Sequence, residues 1–213
     1  MMKLVVLISG RGSNLQAILD AQLPVEIAAV ISNRPDAAGL DLARARGIPA
    51  LPLDHKQYAS REAFDNALIE VIDRYQPELV VLAGYLRILG DSFVMHYAGR
   101  LMNIHPSLLP SFPGLDTHAR ALAEGVKIHG CTVHFVTPML DHGPIIVQAA
   151  VAVHSNDTAA TLAARVLAAE HRVYPKAIAW FAQGRLLLLD NGQVNLRDDS
   201  GSEQTLFISG SLP

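Results

Sequence analysis

Asn103 and His105 stand two residues apart and run directly into Pro106. Leu101 to His105 reads as the end of a short buried strand, because the proline that follows has no N–H to give a sheet ladder. Alternation along a strand sets the two side chains on one face. A carboxamide and an imidazole aimed the same way can donate two hydrogen bonds to one carbonyl oxygen, which is what acyl transfer needs as negative charge develops there. A lone histidine on a strand is more often a core residue. The asparagine on the same face and the place at the strand's carboxyl end favour chemistry. Asp141, in the tight loop Leu140-Asp141-His142-Gly143-Pro144, is the candidate partner, since a carboxylate beside the ring favours its charged form; alone it would be an ordinary turn aspartate.

Two further loops offer binding chemistry. Gly10-Arg11-Gly12-Ser13-Asn14 joins a strand to a helix, where backbone N–H groups and the helix dipole suit a phosphate. It lacks the lysine of a P-loop, and Leu15 stands where a dinucleotide fingerprint needs its third glycine. A tight turn with Ser13 or Asn14 capping the helix is the plain alternative. Gly84-Tyr85-Leu86-Arg87-Ile88-Leu89 is unusually apolar for a connection. It reads either as a wall for a flat aromatic ligand or as the buried start of the next helix. Glu170 falls on the inward stripe of a long helix and needs a partner there: substrate hydroxyls, Arg172, or a bent and solvated helix. Nine histidines raise the question of metal. His129 and His134, five apart, face opposite sides of a strand, and no zinc-type spacing appears, so no metal is expected. Cys131 reads as a small core residue.

The elements that must position these residues follow from periodicity. Strands are expected at Lys3 to Ser9, Val25 to Ser32, Leu79 to Ala83 and Leu101 to His105, with a short extended piece from Ile48 to Leu53. Helices lie between them, one capped by Ser60 and stopping before Pro77. Gly130 to Val136 and Ile145 to Val153 alternate and read as strands of mixed orientation. A helix capped by Asp157 or Thr158 runs to about Gln183, bent at Pro175 and ended by Gly184, before short strands at Arg185 to Leu189 and Gln193 to Leu196. The expected fold is single-domain α/β: a mostly parallel, open twisted sheet with helices on both faces and added strands of mixed orientation. One domain is expected over residues 1–197, with 198–213 a flexible tail. Loops after the first, fourth and fifth strands of such a sheet open at its carboxyl edge, where ligands bind.

The chain has 213 residues, 50% hydrophobic and 17% charged, with a net charge of −3. That balance supplies no electrostatic footprint for nucleic acid. The apolar runs are far shorter than the ~20 residues of a membrane span, and Met1-Met2-Lys3 leads into a strand without a signal-peptide pattern. A cytoplasmic protein is expected. Monomer and homodimer both stay open.

Five stretches carry a family resemblance: Ser9-Gly10-Arg11-Gly12-Ser13-Asn14, Leu82 to Leu89, Asn103-Ile104-His105-Pro106-Ser107-Leu108-Leu109-Pro110, His129 to His134, and Asp141-His142-Gly143-Pro144. The chain closely resembles the folate-dependent formyltransferases. The Asn-x-His-Pro-Ser-Leu-Leu-Pro run is specific to that superfamily, and the Gly-Ser-Asn loop resembles its members acting in purine synthesis. The resemblance implies a Rossmann-type fold and transfer of a formyl group from 10-formyltetrahydrofolate, as co-substrate, to the amine of glycinamide ribonucleotide. It implies Asn103, His105 and Asp141 as the catalytic trio. It assigns the acceptor to Gly12, Ser13, Asn14 and Glu170. It assigns the folate to Arg61, Leu86, Arg87, Ile88, Leu89, Asn103, His134, Thr137, Leu140 and Asp141. Arg11, Tyr85 and His142 vary from some relatives. Two relatives use the same trio, but a formyltetrahydrofolate hydrolase carries a domain ahead of the first strand, and an initiator-tRNA formyltransferase carries a C-terminal domain and basic surface; neither pattern is expected here. A non-catalytic module that binds a phosphometabolite is the rival from another class.

Overall fold

Leu4 to Ile8 are apolar without interruption, and each is wholly buried, as a strand covered on both faces requires. In the computed structural model, which describes residues 1–199 and 203–208, they form β1 (Met2–Ile8). The chain divides into two compact units, Met1–Asn103 and Ile104–Pro213.

The first unit alternates strands and helices: α1 (Ser13–Asp20), β2 (Val25–Ser32), α2 (Gly39–Ala45), β3 (Ala50–Pro52), α3 (Arg61–Asp73), β4 (Leu79–Leu82), α4 (Asp91–His96) and the start of β5 (Leu101–His105). Its strands lie in the order β5-β4-β1-β2-β3. Every pairing is parallel, the consequence of a helical crossover between successive strands. The Ser60 hydroxyl accepts from the Ala63 amide at 3.1 Å and so caps α3, as its position ahead of the apolar stripe predicts. Leu82 stands opposite Asn103 in the β4–β5 register. The loops after β1 and β4 therefore leave from the same edge at which Asn103 lies.

The second unit contains α5 (Thr117–Ala123), β6 (Ile128–Phe135), β7 (Ile145–Ala152), α6 (Ala159–Ala182), the small hairpin β8 (Leu186–Leu188) and β9 (Val194–Leu196), and β10 (Thr205–Ile208). β6 and β7 pair antiparallel, which bears out the mixed orientation expected there. Gly130 is required for that pairing, because a Cβ on it would come 1.9 Å from the Ala149 carbonyl oxygen. α6 begins with a capping box between Thr158 and Thr161. Asp157 plays a neighbouring part, accepting from the His154 amide and pairing with Arg165 at 2.7 Å. Pro175 lies inside the helix, and Gly184, at φ +66, follows its end.

Two differences from expectation stand out. Residues 198–213 were expected as a flexible tail, yet Thr205–Ile208 pair parallel with β7. Thr205-Leu206-Phe207-Ile208 is a β-prone run, and an edge strand is open to it. Residues 200–202 and 209–213 of that expected tail lie outside the described residues. Helix α5 has no counterpart in the periodicity reading. Its residue before the first turn, Asp116, is left-handed at φ +55 and makes no side-chain cap, so the usual start signal is missing.

Candidate active site

The Gly10–Asn14 loop turns at Gly12, whose φ is +78. A Cβ there would meet the Gly39 Cα at 2.8 Å, so the loop lies directly on the start of α2. No side chain caps α1: Gly12 occupies the cap position, and Ser13 and Asn14 belong to the first turn. The capping alternative for those two residues is thereby removed. Asn14, in that first turn, is buried; the N–H groups of a helix's first turn are of the kind that meet an anion.

Ser9 ties this loop to the next, a role not expected from the sequence. Its hydroxyl donates to Asn33 Oδ1 at 2.6 Å and accepts from the Leu86 amide at 2.8 Å. The ends of β1 and β2 and the loop after β4 are thus joined through one buried oxygen. In that loop Leu86 is 76% exposed and Ile88 54% exposed. Their exposure excludes a buried helix start and leaves an apolar surface of the kind that receives a flat ring. α4 begins only at Asp91. Arg87 stacks on the Phe64 ring at 4.8 Å, and Arg61 is exposed in the first turn of α3.

Asn103 and His105 are alternate residues of β5, as expected. His105 Nδ1 lies 3.5 Å from Asp141 Oδ2, with the two side chains 7% and 9% exposed. On its other side, His105 Nε2 donates to the Phe112 carbonyl at 3.0 Å. A carbonyl and a carboxylate both accept, so the ring faces an acceptor at each nitrogen. Phe112 holds its carbonyl there from a left-handed conformation, φ +55. Asp141 is also left-handed, at φ +51, and its Oδ2 accepts from the Gly114 amide at 2.8 Å. Gly143 closes the same loop: a Cβ on it would fall 1.7 Å from the Phe135 carbonyl oxygen. Phe112 and Gly114 carry no sequence signal for these roles, because they act through the backbone.

His134 is 2% exposed and donates from Nδ1 to the Phe135 carbonyl at 2.9 Å. Burial pushes its pKa down, while that hydrogen bond and the Asp141 charge act in the other direction. His129, 1% exposed, lies 3.2 Å from His118 between Nε2 and Nδ1. Burial, then the His118 and His105 rings, push it down to about 4. Glu170 is buried and Arg172 exposed, which removes the solvated-helix reading. Burial, and next the Glu170 charge, push the Cys131 thiol up, so this cysteine is a core residue as expected and no nucleophile. Thr137 and Leu140 lie in the Asp141 loop, where the Thr137 hydroxyl donates to the Met139 carbonyl at 3.3 Å and Leu140 is 55% exposed. Among the described residues no group of three or more His, Cys, Asp or Glu side chains is placed to hold a metal ion, and no helix is long and apolar enough to cross a membrane.

Asn103 and His105 thus share one strand, and the Asp141 carboxylate lies against the His105 ring. Comparison with known proteins gives the class: residues 2–178 match the formyl transferase family model, and the chain belongs to that family. It is 54% identical to the phosphoribosylglycinamide formyltransferase of Escherichia coli over 194 residues, 89% of this chain and 92% of that protein. It is 46% identical to the human trifunctional purine biosynthetic protein adenosine-3, covering 90% of this chain but 19% of that much longer protein. Among solved structures, glycinamide ribonucleotide transformylase 1 of Symbiobacterium toebii superposes with a TM-score of 0.90 at 51% identity, over 93% of this chain and 95% of that one.

Proposed function

We propose that this chain transfers the formyl group of 10-formyltetrahydrofolate to the amine of glycinamide ribonucleotide, giving formylglycinamide ribonucleotide and tetrahydrofolate. The observation that carries the reading is the enclosed His105–Asp141 pair, two residues along β5 from Asn103. The acceptor amine attacks the formyl carbon, and the carbonyl oxygen becomes an oxyanion. The Asn103 carboxamide donates to it. His105 contributes charge, and its Nε2 hydrogen, given to the Phe112 carbonyl in this structure, is the one to be redirected. Asp141 orients the ring and balances its charge. A water near Asp141 carries the proton from the attacking amine to the departing folate nitrogen. No covalent enzyme intermediate is needed.

Gly12, Ser13 and Asn14 hold the acceptor's phosphate through first-turn amides, and Glu170 takes its ribose hydroxyls. Leu86, Ile88 and Leu89 wall the folate ring. Arg61, Arg87, His134, Thr137 and Leu140 supply its remaining contacts. Residues 1–197 act as one formyltransferase domain, a reading supported by a family match that runs through both compact units. We place the protein in the cytoplasm, acting on small molecules without metal or nucleic acid.

The test is absorbance at the wavelength of deformylated folate, with and without glycinamide ribonucleotide. Product that forms only with the acceptor supports the transferase. Product without it marks a hydrolase, and no product in either case marks a non-catalytic binding module; both overturn the reading.

A further inference from the structure

The loop from Ala83 to Gly90 has an apolar outer side and an unsatisfied polar underside. Three side-chain atoms there are buried without a hydrogen-bond partner: the Tyr85 hydroxyl, Arg87 Nε, and Oδ1 of Asp65 on α3. Asp65 is 1% exposed. Its other oxygen accepts from the Gly90 amide at 2.7 Å, which fixes the carboxylate to the end of the loop. The fit is tight, since a Cβ on Gly90 would lie 3.0 Å from that same oxygen. Burial raises the pKa of both Asp65 and Tyr85, and the Asp65 charge adds to the effect on Tyr85, so the hydroxyl lies in the field of the carboxylate. Arg87 lies over the face of Phe64, the residue before Asp65, at 4.8 Å. A buried acceptor on α3 and a buried hydroxyl donor in the loop that α3 holds at Gly90 are therefore both unpaired, a penalty that pairing them would remove. Above them Leu86 and Ile88 stand exposed.

We propose that Asp65 is a positioning residue for the folate wall. When the folate ring settles on Leu86 and Ile88, the Tyr85 hydroxyl donates to Asp65 Oδ1, and the loop becomes anchored at both ends to one carboxylate. The anchor at Gly90 exists beforehand; the anchor at Tyr85 forms with the ligand. This rests on the folate-transfer reading above. Ligand affinity and loop order are then linked, because each favours the arrangement that the other needs. Tyr85 acts through Asp65 and the backbone and touches no reacting atom.

Tyr85→Phe removes the hydroxyl and little else. The expected result is a rise of about tenfold in KM for 10-formyltetrahydrofolate, with kcat and the KM for glycinamide ribonucleotide within about twofold of the parent. Hydrogen exchange of the 84–90 amides should quicken in the folate-saturated variant and stay unchanged without folate. Adding Tyr85→Phe to Asp65→Asn should raise the folate KM no further, as expected for partners in one bond. If Asp65→Asn does not fold, Tyr85→Phe decides alone. Unchanged folate KM and exchange in Tyr85→Phe overturn the proposal, and so does an equal change in both KM values or a fall in kcat, which a general loss of structure would give. Absence of folate-dependent turnover in the unaltered protein overturns the transfer reading and this inference together; turnover in the parent with an indifferent Tyr85→Phe overturns this inference alone.

Discussion

His105 Nδ1 and Asp141 Oδ2 face each other across 3.5 Å, and neither side chain is more than a tenth exposed. Charge on either group is felt strongly at such a place, because little water screens it. Asp141→Asn is the cleanest probe. Asparagine tolerates the left-handed backbone at this position, so the fold should persist. Turnover should fall by about 10²-fold or more while folate binding changes little. Steady-state kinetics beside a folate titration measure both, and an undiminished kcat would remove Asp141 from the chemistry.

Asn103→Ala and His105→Ala should each lower kcat by about 10²-fold or more, as expected for loss of one oxyanion donor. In the proposed mechanism the two act on one oxygen, so the double variant should lose much less than the product of the single effects. Circular dichroism would establish that the variants fold. Normal turnover in either one would sink the assignment.

His129 makes stability depend on pH. Its folded pKa of about 4 lies below the ordinary 6.5, so between these values the unfolded chain takes up a proton that the folded chain refuses. Stability therefore rises with pH across this window, is complete above about 6.5, and is lost as pH falls toward 4. The contribution is roughly 3 kcal/mol at most. Denaturant titrations of His129→Gln at several pH values should show a flatter slope over pH 4–6.5 than the parent. An identical slope would assign the dependence to other groups.

Ser9→Ala leaves Asn33 Oδ1 and the Leu86 amide without their shared partner. The expected loss is about 1–3 kcal/mol, and the 84–90 amides should exchange faster. A change in unfolding free energy under about 0.5 kcal/mol would show that water replaces the hydroxyl without penalty.

Patterns that repeat along the chain were legible beforehand, and single backbone gestures were not. β2 and β5 begin and end where the sequence reading places them, and Ser60 and Thr158 mark helix starts by a side-chain chemistry that the sequence displays. Asn103, His105 and Asp141 could be singled out as candidates because the proposed roles rest on side-chain type and spacing, which a sequence displays. Phe112 could not, because its contribution is a carbonyl turned by an unusual φ. Asp65 was hidden for another reason: it lies beside Phe64 on an amphipathic helix, where a carboxylate reads as solvent-facing, yet it is buried by a loop distant in sequence. α5 escaped for want of a cap, and β10 because its partner strand lies far back in the chain.

The approach of Gly12 to Gly39 carries a consequence for how this protein can change over generations. A methyl group at either position would press on the Cα of the other, and at Gly39 also on Ile8. Neither residue can shrink to make room, since both are already the smallest available. A mutation at one position therefore has no compensating mutation at its neighbour, and the pair must be inherited together or the turn rebuilt.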